Sequence, residues 1–405
     1  MSKDLHLIIV QALPAKKMPN GEVLLTRKLM EATIKFGELW PGSITVLMEE
    51  TEEESSQIDP QKFKLRELPF KLEIGSFDKL NPDKLRKKNS LVLATLGYRQ
   101  NHISQICKEA NIPCIYISEY TLKTRRQIVA VEESQPIKRF KRLWRNRWEE
   151  KQEQKQLNAI ALADGLQCNG TPTYDEYKKL CSDTLLFFDT RITEDMMITP
   201  DELEKRTQRL IDNKPLRLVF SGRLNKMKGA DHLLDVAQEL KLLKIPFKLF
   251  ISGSGDLKEP MKQRIAAEGL NNYVKMLGVP DFKTRFFPFV KERMDLFICC
   301  HRQGDPSCTY IETMSCGVPI VGYANEAFEG IVAKSKSGWL VEMNQPKLLA
   351  KKVAELNLQR EEIKAMSNKA IDFARKYTFE KTYDARVAHM KQIAMRGKST
   401  RQISI

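Results

Sequence analysis

The chain has 405 residues, which is enough for two domains that each bury a full core. Its hydrophobic fraction of 42% is typical of a globular protein, and no run of about 18 apolar residues predicts a membrane-spanning helix. The eight cysteines show neither CxxC pairs nor Cys/His metal-ligand spacing, which indicates buried thiols in a reducing compartment. The formal net charge of +15 indicates a polyanionic partner: nucleic acid, an anionic membrane surface or phosphorylated substrates.

The first half of the chain reads as alternating strands and helices. Residues 5–11 predict a first strand rather than a signal peptide, residues 22–36 predict a helix, and residues 44–48 predict the next strand. The connection between the first strand and the helix lacks a GxGxxG fingerprint. We therefore expect an α/β, doubly wound first domain that is not the nucleotide holder.

Two later strands of this half place polar side chains directly after them. His102 follows the strand at residues 91–97, and Glu119 follows the strand at residues 113–118. Parallel sheets bind ligands at the carboxyl ends of their strands. Both residues are thus candidates for acceptor binding or acid–base assistance. The alternatives are a solvent-exposed histidine at a helix start and a glutamate in a salt bridge.

Residues 136–148 predict a basic amphipathic helix that continues to about residue 157. Its apolar side chains recur at i, i+3 and i+4 spacing, and the six cations among them have no offsetting acid. An anionic bilayer attracts such a helix by about 1 kcal/mol per basic residue near the surface. Packing of the apolar stripe on the domain and nucleic-acid binding are the alternatives. We favour contact with a membrane or an anionic acceptor through Lys138, Arg139, Lys141, Arg142, Trp144, Arg145 and Trp148.

In the second half, a strand at residues 216–221 ends in Gly222 and is followed by Arg223 and Lys228. Two cations beside a glycine at the carboxyl end of a parallel strand are suited to clamp a diphosphate. A second strand, residues 247–252, is closed by Gly253 and Gly255, which permit a close backbone approach to a ligand. The alternative for these two glycines is a plain turn.

Residues 304–320 predict a polar loop, a short helix and a strand. A loop that enters a helix N-terminus offers backbone N–H groups and a positive dipole end to an anion. One turn along, Glu312 is placed to accept hydrogen bonds from the hydroxyls of the ligand. Further candidate donor contacts are His301, Asp305, Ser307, Thr309 and Tyr310. The alternative is an ordinary strand–helix connection with a solvent-exposed glutamate.

These motifs, in this order, resemble the carboxyl-terminal half of the family 4 glycosyltransferases. The resemblance rests on residues 222–229, residues 250–256, and Glu312 ahead of residues 315–319. It is specific over residues 214–380 and architectural before them. It implies the GT-B fold, with two Rossmann-like doubly wound domains facing a central cleft. It also implies a nucleotide-sugar donor, such as a UDP- or GDP-sugar, and retaining transfer to a glycan, glycolipid or lipid-linked acceptor.

The resemblance also implies roles for individual residues. Arg223 and Lys228 would hold the donor diphosphate, and Glu312 would bind the ribose. The family usually has another acid eight positions before that glutamate, where it touches the donor sugar. Gly304 stands there instead, so either the neighbouring Asp305 takes over with a one-residue shift or the sugar is held differently.

The predicted domain boundaries follow from the same resemblance. Residues 1–191 would form the acceptor domain, 192–213 the linker and 214–378 the donor domain. Residues 379–405 would form a helix that crosses back to the first domain, followed by a basic tail from residue 396.

We expect no essential metal or cofactor, because no DxD pair follows a strand and the two cations can neutralise the leaving nucleoside diphosphate. We expect a cytoplasmic enzyme of surface polysaccharide or glycolipid synthesis, in peripheral contact with the inner face of the cytoplasmic membrane. Alternatives are a sugar-nucleotide epimerase and a non-catalytic binder of an anionic ligand or nucleic acid. Nucleic acid is not expected as a partner, since the cations concentrate in one aromatic helix.

Overall fold

The computed structural model describes residues 5–51, 60–87, 89–134 and 138–402, apart from the side chains of residues 60 and 397–402. The first two residues of the predicted basic helix, 136 and 137, lie outside the described residues. So do residues 403–405 of the predicted basic tail.

The strands of the first half form one large and one small sheet. In chain order they are β1 Leu5–Val10, β2 Lys16–Lys17, β3 Glu22–Thr26, β4 Gly42–Met48, β5 Pro60–Lys64, β6 Lys71–Ile74, β7 Ser90–Thr95, β8 Cys114–Ser118, β9 Gly165–Asn169 and β10 Thr184–Phe187. The large sheet has seven parallel strands in the order β10-β9-β8-β7-β1-β4-β6. Its central strands are buried on both faces, which explains their continuous apolar runs.

The helices of the first half cover both faces of that sheet, and a separate apolar core lies on each face. They are α1 Arg27–Leu39, α2 Pro82–Leu85, α3 Ile103–Ala110, α4 Leu122–Glu132, α5 Arg139–Leu162 and α6 Thr171–Tyr177. This arrangement confirms the predicted α/β, doubly wound architecture of the first domain.

One secondary-structure prediction is wrong. Residues 22–26, predicted as the start of a helix, form β3, which pairs with β2 and β5 in a three-stranded antiparallel sheet. The apolar residues at 23 and 25 are buried and residue 24 is not, so the local period is two. The helix begins only at Arg27, after Thr26, whose hydroxyl accepts a hydrogen bond from the N–H of Leu29.

The second half forms a six-stranded parallel sheet in the order β13-β12-β11-β14-β15-β16. The strands are β11 Leu216–Ser221, β12 Phe247–Ser252, β13 Val274–Gly278, β14 Leu296–Cys299, β15 Ile320–Tyr323 and β16 Trp339–Val341. The helices are α7 Pro200–Ile211, α8 Ala230–Leu242, α9 Lys258–Ala267, α10 Phe287–Arg293, α11 Thr309–Ser315, α12 Glu326–Ser335, α13 Pro346–Leu358, α14 Arg360–Ala374 and α15 Phe379–Gln402.

Helix α7 occupies most of the predicted linker. It begins with a capping box between Thr199 and Glu202. Its buried Arg206 donates hydrogen bonds to the carbonyls of Lys291, Cys316 and Gly317. Because all three carbonyls belong to the second sheet's connections, α7 is fastened to the second domain.

Helix α15 crosses back to the first domain and packs on its sheet through Tyr383, Val387, Met390 and Ile393. Its backbone remains helical to residue 402, so the helix includes most of the predicted basic tail. The two chain segments that join the domains run side by side, since the N–H of Phe379 donates to the carbonyl of Ile192 at 2.7 Å.

The carboxyl ends of both sheets face one cleft. Gly170, at the end of β9, lies against Pro306 of the second domain, and Gln127 of α4 hydrogen-bonds the backbone of Gly304. The cleft is therefore lined from both sides by the strand ends where parallel sheets bind ligands.

Candidate active site

The predicted diphosphate clamp lies in the loop between β11 and α8. Lys228 and Gly229 rest on the end of β14, where a Cβ at Gly229 would come within 2.0 Å of the Cys300 carbonyl oxygen. Gly229 has φ of +65°, so a glycine is required there for both reasons. This close packing of the loop on β14 holds Lys228 against the second sheet at the cleft edge.

Lys228 is already paired within the protein. Its ammonium forms an ion pair with the Asp305 carboxylate, and both side chains are largely buried. An incoming diphosphate must therefore compete with Asp305 for this cation. Arg223 is exposed and has no ion pair among the described residues.

Arg223 faces the first domain across the cleft. Tyr120, which follows β8, lies within electrostatic reach of Arg223 and Asp305. Burial raises the pKa of the Tyr120 phenol, Asp305 raises it further, and Arg223 opposes the shift. The two clamp cations thus line the same cleft, one free and one paired.

Gly253 and Gly255 serve the packing of this loop. A Cβ at Gly253 would lie 1.9 Å from the carbonyl oxygen of Gly222, and one at Gly255 would lie 2.6 Å from that of Leu224. The close backbone approach that these glycines permit in this structure is to the clamp loop itself. They therefore position the clamp loop.

Glu312 lies in the first turn of α11 and is almost fully buried. Its Oε1 accepts a hydrogen bond from Nε of Arg191 at 2.8 Å. That guanidinium stacks on the Phe282 ring, 3.6 Å from its centroid. Beside Glu312 lies a small cavity of about 10 Å³, room for about one water molecule, lined by Val219, Ser221, Phe282, Phe286, Phe287 and Val290. The Glu312 carboxylate itself can accept hydrogen bonds from the hydroxyls of a ribose.

Two of the predicted donor contacts, His301 and Tyr310, are buried in a cluster with Asn325. The Tyr310 hydroxyl lies 3.4 Å from Nδ1 of His301 and 3.5 Å from Oδ1 of Asn325, and all three side chains are buried. Burial and the nearby Lys228 lower the pKa of His301, so its imidazole is neutral. Nε2 of His301 has no hydrogen-bond partner among the described residues. Ser307 and Thr309, by contrast, lie in the loop at the start of α11 and hydrogen-bond each other at 3.2 Å.

The first domain contributes a charged cluster opposite the clamp. Lys28 of α1 forms an ion pair with Asp189, which follows β10. Glu119 accepts a hydrogen bond from Asn169 at 3.4 Å. Burial raises the pKa of Glu119, and the Asp189 and Asp305 carboxylates add to this, while Lys28 opposes it. Glu119 therefore lies in the cleft among charges of both domains.

His102 does not join this cluster. Its Nε2 donates a hydrogen bond to the carbonyl of Phe77 at 3.2 Å, in the connection after β6. Among the described residues no contact links it to the second domain. This position agrees with the alternative reading of His102 as a residue of a helix start.

Three residues that the sequence did not single out as site residues connect the domains across the cleft. Gln127 donates from Nε2 to both Glu326 carboxylate oxygens, at 3.1 and 2.9 Å, and its Oε1 accepts from the N–H of Gly304 at 2.9 Å. Lys123 forms an ion pair with Glu326 at 2.5 Å. These partners are about 200 positions apart, so no local pattern could have linked them.

The basic helix is α5, and part of its apolar stripe is exposed. Phe140 is 85% exposed, Trp144 69% and Leu143 52%. Trp148 instead packs edge-on against Tyr98, with ring centroids 5.5 Å apart. The interpretation that the stripe packs on the domain thus holds for Trp148 and not for the exposed residues.

Acidic residues at the end of α4 partly offset the cations of α5. The pattern of the basic helix alone does not predict these ion pairs. Lys138, Lys141 and Arg145 form ion pairs with the buried Glu133. Arg139, Arg142 and Arg147 have no ion pair within the described ranges. The exposed apolar residues therefore have uncompensated arginines beside them.

The described residues contain no cluster of three or more His, Cys, Asp or Glu side chains that could hold a metal ion. None of the helices in this part of the chain has the length and apolar character needed to cross a bilayer.

Part of the chain matches a known family. Residues 201–373 match the model of the glycosyl transferases group 1. An uncharacterized glycosyltransferase of Methanocaldococcus jannaschii is 28% identical over 155 residues, 38% of each chain. The amylovoran biosynthesis glycosyltransferase AmsK of Erwinia amylovora is 27% identical over 158 residues, 37% of this chain and 38% of its own. The matched segment thus spans less than half of the length of these relatives.

The fold also matches solved structures. HepE of Anabaena, solved in complex with UDP, superimposes with a TM-score of 0.63 at 16% identity, over 98% of this chain and 100% of that one. This similarity covers both domains and confirms the expected GT-B architecture.

Proposed function

From the premise that residues 201–373 are a glycosyl transferases group 1 domain, we propose that the chain is a retaining glycosyltransferase. It would move a sugar from a nucleotide-sugar donor to a hydroxyl of a glycan, glycolipid or lipid-linked acceptor. The observation that carries this proposal is the convergence of Arg223, Lys228 and Glu312 on the cleft between the two domains.

The ribose and the diphosphate of a nucleotide sugar have counterparts in the cleft. Glu312 would accept hydrogen bonds from the ribose. Arg223 and Lys228 would neutralise the diphosphate, which lowers the barrier to its departure without a metal ion. Similarity to a protein solved with UDP supports a uridine nucleotide as the first donor to test.

The acceptor would enter from the first domain. Glu119 is the candidate to orient the acceptor hydroxyl or to take up its proton, because it lies in the cleft opposite the clamp. Retention would follow from attack on the face that the diphosphate leaves, with a leaving phosphate oxygen assisting deprotonation. Relatives in polysaccharide biosynthesis, such as AmsK, support a role in surface polysaccharide or glycolipid synthesis.

The first test is nucleotide binding with a matched pair of lysine variants. A panel of UDP, GDP, ADP and their sugars is titrated by calorimetry and thermal shift, with and without EDTA. We expect Lys228→Ala to weaken binding of the preferred nucleotide at least about tenfold, because a charge-assisted contact to phosphate is lost. Lys226→Ala, which removes an exposed lysine of the same loop, should bind as wild type does.

Two results would contradict the proposal. One is a wild-type protein that binds no nucleotide of the panel, and the other is Lys228→Ala binding as well as Lys226→Ala. With a donor identified, the anomeric configuration of the transferred sugar, read by NMR, tests retention. Unchanged affinity in EDTA is the result expected for a metal-independent clamp.

We also propose that α5 contacts the anionic inner face of the cytoplasmic membrane. Phe140, Leu143 and Trp144 would enter the interface, and the unpaired Arg139 and Arg142 would meet lipid phosphates. This placement would bring the cleft close to a lipid-linked acceptor.

The membrane proposal is tested by co-sedimentation with phosphatidylglycerol-containing vesicles. Arg139→Ala/Arg142→Ala should reduce bound protein several-fold, since each basic residue contributes about 1 kcal/mol. Lys151→Ala/Lys155→Ala, which removes two exposed lysines further along α5, is the control and should change little. Equal effects of the two double variants, or no binding by wild type, would refute a specific contact.

A further inference from the structure

The carboxylate of Glu326 occupies the space that a side chain at position 304 would need. A Cβ built on Gly304 would lie 2.7 Å from Oε2 of Glu326, 3.3 Å from its Cβ and 3.2 Å from Oγ1 of Thr124. A carboxylate from α12 thus reaches the point in the loop where residue 304 itself has no side chain.

This carboxylate is held in place by the first domain. Lys123 contacts Oε1 at 2.5 Å, and the Gln127 amide contacts both oxygens. The oxygen of the same amide accepts a hydrogen bond from the N–H of Gly304, so the Gln127 side chain holds both the loop and the carboxylate. Burial alone would raise the pKa of Glu326, but the hydrogen bonds from Lys123 and Gln127 outweigh it and lower the pKa, which keeps the group charged at neutral pH.

Position 304 lies next to the predicted diphosphate clamp of Arg223 and Lys228. Gly304 precedes Asp305, whose carboxylate is paired with the clamp residue Lys228. In a nucleotide sugar the sugar is bonded to the terminal phosphate, so a diphosphate on Lys228 would place the sugar ring close to this loop. Asp305 is engaged by Lys228 and Glu312 by Arg191. Glu326 has no clamp residue as its partner, and Lys123 and Gln127 hold it beside Gly304.

The geometry points to Glu326 as the residue that binds hydroxyls of the donor sugar, and it does so only in the closed arrangement in which Lys123 and Gln127 hold it. This inference rests on the proposed function and deepens it, because it assigns sugar specificity to one side chain. A carboxylate accepts strong hydrogen bonds from hydroxyl groups and has lone pairs left after two partners. Asp305, the neighbouring acid, would remain the partner of Lys228 until the phosphate arrives.

The test separates the sugar from the nucleotide. Affinities of the wild type are measured for UDP and for UDP-glucose, UDP-galactose and UDP-N-acetylglucosamine. The affinity for each UDP-sugar divided by the affinity for UDP gives the contribution of the sugar. Should the panel above identify another base, the same set is used with that base. Glu326→Gln should leave the UDP affinity within about twofold and reduce the contribution of the preferred sugar about tenfold or more.

Deoxy analogues of the preferred donor distinguish a sugar contact from a merely structural role. The analogue that lacks the contacted hydroxyl should bind wild type less tightly than the full donor, and Glu326→Gln should bind both equally. Lys123→Met removes one of the two side chains that hold the carboxylate, so it should weaken discrimination between analogue and donor while UDP still binds. Asp305→Asn should preserve discrimination, and should bind UDP more tightly because Lys228 is freed.

A reciprocal exchange completes the design. Gly304→Glu alone should lose donor binding, because the new side chain meets Glu326. Gly304→Glu with Glu326→Ala should recover sugar discrimination, since one carboxylate again enters the shared space.

The inference is overturned if Glu326→Gln keeps the wild-type sugar contribution while UDP still binds. It is also overturned if Asp305→Asn, and not Glu326→Gln, abolishes discrimination between analogue and donor. Failure of wild type to bind any nucleotide would instead refute the proposed function on which the inference rests.

Discussion

At the scale of single residues, most of the charges in the cleft are paired with one another, with Arg223 as an exception among those described. Lys228 is paired with Asp305, Arg191 with Glu312 and Lys28 with Asp189. In the largely buried pair of Lys228 and Asp305, loss of either partner would leave a desolvated charge alone, at a cost of several kcal/mol. A ligand that carries both phosphates and hydroxyls can replace the partners on both sides, and so can bind without leaving a charge uncompensated.

Glu119 gives a prediction of pH dependence at this scale. Because its pKa is raised, mainly by burial, the carboxyl is protonated up to a higher pH than an ordinary glutamate. If the carboxylate is the active form, the rate of sugar transfer falls as pH drops through that raised pKa. The acidic limb of the rate profile should therefore lie above the ordinary glutamate range.

The measurement is a pH–rate profile with the identified donor. Glu119→Gln should lower the rate about 100-fold or more and remove this limb, whereas Glu259→Gln on the exposed surface of α9 should leave the profile unchanged. A wild-type profile in Glu119→Gln would exclude Glu119 from the reaction.

At the scale of elements, α4 connects two parts of the protein that have different proposed roles. Its first residues, Lys123 and Gln127, contact the second domain at Glu326. Its other face packs on α5, where Arg125 bridges Glu149 and Glu153, and its last turn provides Glu133 for the cations of the basic helix. The orientation of the basic helix therefore depends on the same element that holds the domains together.

Two neighbouring arginines of α4 test this packing. Arg125→Met should destabilise the protein by about 3 kcal/mol or more, because it leaves two largely buried carboxylates without their cation. Arg126→Met removes only an exposed pair with Glu150 and should cost less than about 1 kcal/mol. Urea-induced unfolding followed by circular dichroism measures both. Similar losses in the two variants would mean that the buried network does not stabilise the packing of α4 on α5.

At the scale of the whole molecule, the structure shows two domains in contact on both sides of the cleft. Helix α12 approaches α6 so closely that a Cβ at Gly330 would lie 1.8 Å from Oγ1 of Thr171. Lys283 of the second domain also forms an ion pair with Glu31 of α1, at 3.1 Å. Closure of this kind excludes water from a reactive donor and completes a site built from both domains.

Gly330→Ala should prevent that closure without unfolding either domain, since alanine is well suited to a helix interior. We expect a larger radius of gyration by small-angle scattering, retained nucleotide binding and a sugar-transfer rate reduced at least about tenfold. Gly37→Ala is the control, because a Cβ there meets no atom closer than 4.0 Å. Wild-type scattering and rate in Gly330→Ala would show that the close approach is not needed for the reaction.

The sequence by itself determined the order of the elements and the chemistry of the clamp. Apolar runs that end in Gly222, Gly97 and Gly253 identified the strands, because buried parallel strands are apolar on both faces. The cations and Glu312 lay within local motifs of one strand–loop–helix unit each, so their spacing along the chain was sufficient to group them. Local patterns failed at residues 22–26, where the longer of the two antiparallel partners of the strand, β5, lies about 40 positions away.

Only the tertiary structure decided which charges meet across the cleft. The pairing of Gln127 and Lys123 with Glu326 and of Arg191 with Glu312 depends on how two independently built sheets face each other. No periodicity encodes that relation, because it is set by the connection after β10 and by the return of α15. The same applies to Glu133, whose carboxylate offsets part of the charge of the basic helix from a neighbouring element. Local motifs therefore specify the chemical groups of the site, and the packing of the domains specifies their partners.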